Sequence, residues 1–318
     1  DEGWVRGTLD HYGVPYDYFA DKLVAEGNLR DRYDVIIYPH VGGSAQQHVQ
    51  GIAMTGELPL PYRQSAETPN LGGIDESDDI RGGMGWEGLV ELANFVQEGG
   101  TLIVEGSTST IMPEYNVTSG LGIASPENLV APGSVHRGII SDRTSPIMYG
   151  YDGEQLPVYF KSGVVFSRGG GGGGFGRGGG NWQNTTPMAT RPRLSSYDDP
   201  DQAAGIESRG GGGGFRGFGG FGGGGGSDAT RVVMSFPDDP DHILLSGALG
   251  GAESIAGTPQ VVDSKVGDGH VVSFAIRPFW RWQSQGTFFL GFNAILNWND
   301  LDADGSDDVP VTDGGGSN

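Results

Sequence analysis

The sequence predicts an α/β fold: a mostly parallel sheet flanked by helices, with an antiparallel hairpin near its carboxyl end. Three observations carry this. Trp86, Leu89, Val90, Ala93 and Val96 recur at helical spacing and lead through Gly99-Gly100 into the apolar strand Thr101-Leu102-Ile103-Val104. That order is the αβ unit of a parallel sheet. Asp34 to Pro39 holds a second apolar strand that stops at a proline. Val261 to Val266 and His270 to Ile276 face each other across Gly267-Asp268-Gly269, a hairpin signal.

The remaining elements follow along the chain. Asp1 is placed to cap a helix whose Trp4, Val5, Leu9 and Tyr12 share one face and which stops at Gly13. Val14 to Phe19 reads as a strand. A domain that opens on a helix leading into a strand usually has an earlier strand, so a first strand is expected upstream, in a longer polypeptide. His40 to Gly85 is too long and polar for a plain connector and is a candidate functional loop. Leu156 to Phe160, Val164 to Phe166, Arg231 to Phe236 and Ile243 to Leu245 read as short strands. Phe288, Phe289, Phe292, Ile295 and Leu296 mark one face of a last helix running from about Gly286 to Trp298. The expected organisation is one domain over residues 1–300, followed by an acidic disordered tail at 301–318. Gly-rich insertions at 168–180 and 209–227 interrupt the domain, because ordering so much glycine costs too much backbone entropy to build a core.

Composition excludes several functions. The chain has 318 residues, 60 of them Gly, no Cys, and a net charge of -21. Without cysteine there is no disulfide framework, thiolate zinc site or cysteine nucleophile. No apolar run is long enough to span a membrane, and the negative charge opposes nucleic-acid binding. Arg168, Arg177 and Arg209 each precede Gly-Gly. This is the alternative of an arginine–glycine RNA-binding segment, which the acidic balance disfavours. The six His are scattered, with no His-Glu-x-x-His, and read as ordinary surface or loop histidines.

Four candidate sites stand out. Asp75, Glu76, Asp78 and Asp79 put four carboxylates in one loop, suited to a cation or to substrate amino groups; the plainer alternative is a solvated loop that caps the next helix. The run Arg277-Pro278-Phe279-Trp280-Arg281-Trp282-Gln283 follows the last strand, with Trp280, Arg281, Trp282 and Gln283 as its candidate binding residues, at the edge where α/β sheets bind ligands; the alternative is an aromatic plug. Ser107 follows a buried strand and is the one candidate for a hydrolase nucleophile, although Gly-x-Ser-x-Gly is not met and the helix start is poor. Asp300, Asp302 and Asp304 carry calcium-loop spacing, but position twelve is Val311.

Several stretches together carry a resemblance. They are Asp1-Glu2-Gly3-Trp4, Tyr33 to Ile37, Ala66 to Gly72, Asp75 to Gly83, Glu154 to Phe160, and Pro278-Phe279-Trp280-Arg281-Trp282-Gln283 through Asn293 to Trp298. They resemble the class I glutamine amidotransferase-like, flavodoxin-like domain appended to the C-terminus of large secreted bacterial zinc carboxypeptidases. The resemblance implies a catalytically silent accessory domain of a metallocarboxypeptidase that hydrolyses C-terminal peptide bonds, structural or ligand-binding in role. It further implies an extracellular or periplasmic location and an upstream peptidase domain as partner, with a peptide or surface ligand as a further one. Zinc belongs to that peptidase domain, and no cofactor is expected here. The zinc ligands of the family, a His-x-x-Glu pair and a later His, have no matching positions, and the amidotransferase cysteine is replaced by Gly106-Ser107. Two alternatives remain: an independent binding module using residues 280–283, and a serine hydrolase using Ser107.

Overall fold

In the computed structural model, residues 1–73, 75–161, 163–168 and 230–303 are described. Helix α1 (Glu2–Tyr12) ends at Gly13 in the left-handed conformation, as a glycine stop predicts, and is followed by α2 (Asp21–Glu26) and strand β1 (Val35–Tyr38). Helix α3 (Ala45–Gln50) opens on a capping box, with Ser44 accepting from the Gln47 N–H and Gln47 returning a bond to the Ser44 N–H. Helix α4 (Gly85–Gln97) leads into β2 (Thr101–Glu105), every residue of which is buried, and a tight turn carries the chain into the short α5 (Ile111–Glu114). Then come β3 (Leu121–Ala124), β4 (Ser134–Ile140), β5 (Gln155–Phe160) and β6 (Val165–Arg168). From residue 230 onward come β7 (Thr230–Ser235), β8 (Leu244–Ser246), β9 (Pro259–Val266), β10 (Gly269–Phe274) and α6 (Phe288–Leu296).

The main sheet runs β1-β2-β10-β9-β7-β4-β5, with β8 also on β4, while β3 and β6 pair apart from it. The expectation of a mostly parallel sheet is corrected: only β1–β2 and β2–β10 are parallel, and the other pairings are antiparallel. The physical reason is the connections. Parallel neighbours need a crossover, which α4 supplies before β2, whereas β9–β10 turns back through the tight link Gly267-Asp268. The β9–β10 hairpin stands as expected, with Gly269 opposite Val266.

Alternation on the central strands builds two cores. Leu102, Val104 and Val271 face Leu92, Phe95 and Val96 of α4, whereas Ile103 and Val272 face Leu290 and Ala294 of α6. Burying each such side chain contributes roughly 1.5–3 kcal/mol.

Further corrections follow from packing. Val14 to Phe19 pairs with no strand among the described residues, and Tyr16 and Tyr18 are exposed. In α6 the expected apolar face is only partly buried: Phe288 is covered, but Phe289 and Leu296 point to solvent. Strands β3 and β4 were not expected at all. Residue 301 does not begin a free tail, because Leu301 is buried and Arg231 donates to the carbonyls of Leu301 and Ala303. Apart from Arg168, which ends β6, the Gly-rich insertions at 168–180 and 209–227 lie outside the described residues, as do 304–318.

Candidate functional site

The three parallel strands end side by side, with Tyr38 opposite Val104 and Phe274 opposite Glu105. Their next residues, His40, Gly106-Ser107 and Arg277, therefore converge at one sheet edge, the position where α/β sheets commonly seat ligands. Gly106 has φ +56°, and a Cβ there would stand 2.5 Å from His40 Nδ1, so only glycine lets the ring approach. The Ser107 N–H donates to His40 Nδ1 at 2.9 Å, and the Gly42 N–H donates to Ser107 Oγ at 3.1 Å. Arg277 Nη2 lies 2.8 Å from His40 Nε2, and Arg277 Nη1 lies 2.9 Å from Asp1 Oδ2. A neutral imidazole has one acceptor nitrogen, and here it is spent on the Ser107 N–H or on Arg277.

Glu105 sits beneath this edge, its side chain accepting from the Thr108 N–H while Oε1 has no hydrogen-bond partner among the described residues. Burial pushes its carboxyl up to about 7, and the Arg277 guanidinium opposes that shift. His48, on α3, is buried against Tyr38 and pushed down to about 4, first by burial and then by the charge of His40. The expectation of ordinary surface or loop histidines is thus corrected: His40, His48, His136 and His270 are all buried. His136 contacts Ser134 Oγ through Nε2, and burial lowers it to about 4; His270 pairs with Asp263 at 2.8 Å.

These shifts set a pH dependence. His48 and His136 titrate at about 6.5 when unfolded and about 4 when folded, so the fold holds them neutral. Their contribution is complete above pH 6.5 and is lost as pH falls through 4, on the order of 3 kcal/mol for His48. Glu105 has the opposite sign: its raised value favours the fold below about 4.5 and loses that advantage as pH rises through about 7. Urea midpoints are expected to fall between pH 7 and pH 4.5, and to fall less in His136→Gln. An equal fall in that variant would remove His136 from the account.

The sequence-predicted residues are placed as follows. Arg81 grips Asp79 through Nε and Nη2, at 2.7–3.0 Å, and holds that carboxylate well below its usual range. Asp78 pairs with Arg63, Asp75 is half-buried and Glu76 is exposed. Two of the four acids are thus neutralised within the loop. Trp280 is stacked on Tyr159 at 5.2 Å with the Arg281 guanidinium over the ring at 4.8 Å, and Trp282 packs edge-on against His11 and Phe288. Both rings are packed as a plug, leaving Arg281 and Gln283 exposed. No hydrogen bond, ion pair or ring contact among the described residues joins residues 75–79 to 280–283.

Ser107 does follow a strand and a positive-φ turn into helix, a likeness to an elbow that the Ser-Thr-Ser-Thr run obscured. Asp302 pairs with Lys265 and faces His270 Nε2 at 3.6 Å; Asp300 is exposed and Asp304 lies outside the described residues. Among the described residues no group of three His, Asp or Glu is disposed to hold a metal. No helix among them is long and apolar enough to cross a membrane. Sequence reasoning missed Glu105, read His40 and His48 as ordinary histidines, and noted Arg277 only as the start of the 277–283 run. The available signal was position, since three of them end or directly follow the apolar strand runs.

No protein-family profile and no curated protein matches the chain. Among solved structures it is similar to Cytoplasmic Protein STM3548 from Salmonella typhimurium, with 12% identity, TM-score 0.41, and coverage of 92% of this chain and 85% of that one. Cytoplasmic Protein STM1381 from Salmonella typhimurium LT2 gives 12% identity, TM-score 0.41, and coverage of 93% and 83%. A putative ThuA-like protein from Parabacteroides merdae gives 11%, TM-score 0.35, and coverage of 71% and 69%. Likenesses this distant carry no argument about function. The two Salmonella proteins are named as cytoplasmic, and nothing found supports the extracellular or periplasmic location expected from the sequence. That expectation is withdrawn, and no compartment is assigned in its place.

Proposed function

We propose that this chain is a catalytically silent α/β domain of the flavodoxin-like, class I glutamine amidotransferase-like kind. On this reading it is accessory to a zinc metallocarboxypeptidase whose peptidase domain hydrolyses C-terminal peptide bonds. One observation supports the silence. Ser107, at the position of the missing cysteine, is buried with its Oγ accepting from Gly42, and His40 turns its ring nitrogens to the Ser107 N–H and to Arg277. A serine nucleophile needs its hydroxyl proton directed at a free base. Zinc belongs to the peptidase domain on this reading, and the residues described here do not fit it. The DNA upstream of the Asp1 codon tests the partnership: an in-frame peptidase domain is expected, and a stop codon followed by a start site overturns it. Ester, amide and peptide substrates are expected to show no turnover in the purified chain, with Ser107→Ala indistinguishable. Turnover abolished in that variant would establish the hydrolase instead.

A second reading, a module for a peptide or surface ligand at residues 280–283, is favoured by backbone geometry. Arg281 and Trp282 hold φ +48° and +57°, consecutive left-handed non-glycine residues whose strain clusters at functional sites. Intrinsic Trp fluorescence that changes with a candidate peptide, and no longer changes in Arg281→Ala, would support it; an unchanged response in the variant would remove it.

A further inference from the structure

At the junction of α2, α4 and the long loop before α4 lies a hollow of about 450 Å³. Ala25, Met54 and Met84 form its apolar wall, and Gly82 to Gly85 its floor. Its two cations are already committed. Lys22 Nζ donates to the Arg81 carbonyl at 2.6 Å, and Arg81 binds Asp79 and the carbonyls of Thr55 and Gly56. Glu87 on the wall and Glu57 on the adjoining loop are exposed and have no ion-pair partner among the described residues. Beside them the loop presents unpaired apolar side chains to water: Met54 is 65% exposed and Leu58 80%. An apolar opening beside two exposed, unpaired carboxylates, whose own cations are held by backbone carbonyls and by Asp79, is complementary to an apolar side chain flanked by positive charge.

We infer that this hollow docks a basic, apolar segment of a partner protein, one Leu-sized side chain entering against Met54 and Met84 while flanking Lys or Arg meet Glu57 and Glu87. A second copy of the chain is disfavoured as occupant, since each copy carries a net charge of -21 and would bring more carboxylates to the rim. The inference holds whether or not that segment belongs to a peptidase.

The probe is the peptide Nα-acetyl-Lys-Leu-Lys-amide, titrated into the full ¹⁵N-labelled chain. Saturable shifts of the Gly82, Gly83 and Gly85 amides are expected, with Kd of about 1 mM for so small a ligand. Nα-acetyl-Glu-Leu-Glu-amide is expected to bind at least about tenfold more weakly, as is Lys-Leu-Lys to the Glu57→Gln/Glu87→Gln double variant. Both substitutions are at exposed positions, and an unchanged circular dichroism spectrum verifies the fold. Absence of glycine shifts up to about 10 mM peptide, roughly tenfold above the expected Kd, overturns the docking site. Equal binding of the acidic peptide overturns its charge preference. The same glycine shifts on concentrating the protein alone, with a rise in mass, would assign the surface to self-association instead.

Discussion

Gly106→Ala is expected to destabilise the chain by about 2–5 kcal/mol and to detach His40 from Ser107. Two costs add. At φ +56° an L-residue occupies the left-handed region, which costs roughly 1–2 kcal/mol. The new Cβ would stand 2.5 Å from His40 Nδ1 and 3.0 Å from Cγ, an overpacking that costs about 1–3 kcal/mol. His40 cannot yield cheaply, because it is buried and sits between the Ser107 N–H and Arg277. Gly3→Ala is the control: its Cβ meets nothing within 4 Å on a helix, so the change is expected to be neutral or to stabilise by up to about 1 kcal/mol. Urea unfolding of both variants measures this, with a loss under about 1 kcal/mol in Gly106→Ala contradicting the steric account.

Arg277→Leu is expected to cost about 3–5 kcal/mol, the penalty for removing one partner from a buried charged cluster. The guanidinium faces Asp1 at 2.9 Å, opposes the upward shift of Glu105, and lies over Trp280 at 5.2 Å. Without it, Glu105 loses the charge that most opposes its upward shift, and its carboxyl rises above about 7. The sign follows: a raised carboxyl favours the fold at acid pH, so the defect is expected to be larger at pH 8 than at pH 5.5. Urea midpoints at the two pH values check this, and a defect independent of pH would separate Arg277 from Glu105. Combining Arg277→Leu with Glu105→Gln is expected to recover part of the loss, since no buried carboxylate then needs compensation.

How far these sites were legible differs from element to element. Strand β2 and helix α4 stand out because every β2 residue is buried and the helix repeats its apolar side chains toward it. Strand β4 was hidden: Ser134-Val135-His136-Arg137-Gly138 mixes polar and small residues, although His136 is fully buried against Phe160 and Phe236. Its inward face is polar because Ser134 supplies the hydrogen bond that a buried imidazole needs. Val14 to Phe19 shows the converse, a strand-like pattern that no strand among the described residues pairs. At the site, Ser107 is legible from the strand before it, whereas Glu105 reads as an ordinary charge at a strand end and Arg277 as the start of the aromatic 277–283 run. Their burial depends on β1, β2 and β10 lying side by side, residues separated by up to about three-quarters of the chain.

By itself the sequence determined the helices and strands with strong apolar periodicity, the β9–β10 hairpin, the missing cysteine and the acidic balance. These are local or compositional properties, set by side-chain spacing, turn residues and charge. Tertiary structure alone decided that most of the sheet is antiparallel, because pairing direction follows from which distant strands meet. It also decided which polar residues are buried together. His40, Ser107, Glu105 and Arg277 come from three separate strand ends, and only parallel pairing in register brings those ends to one edge.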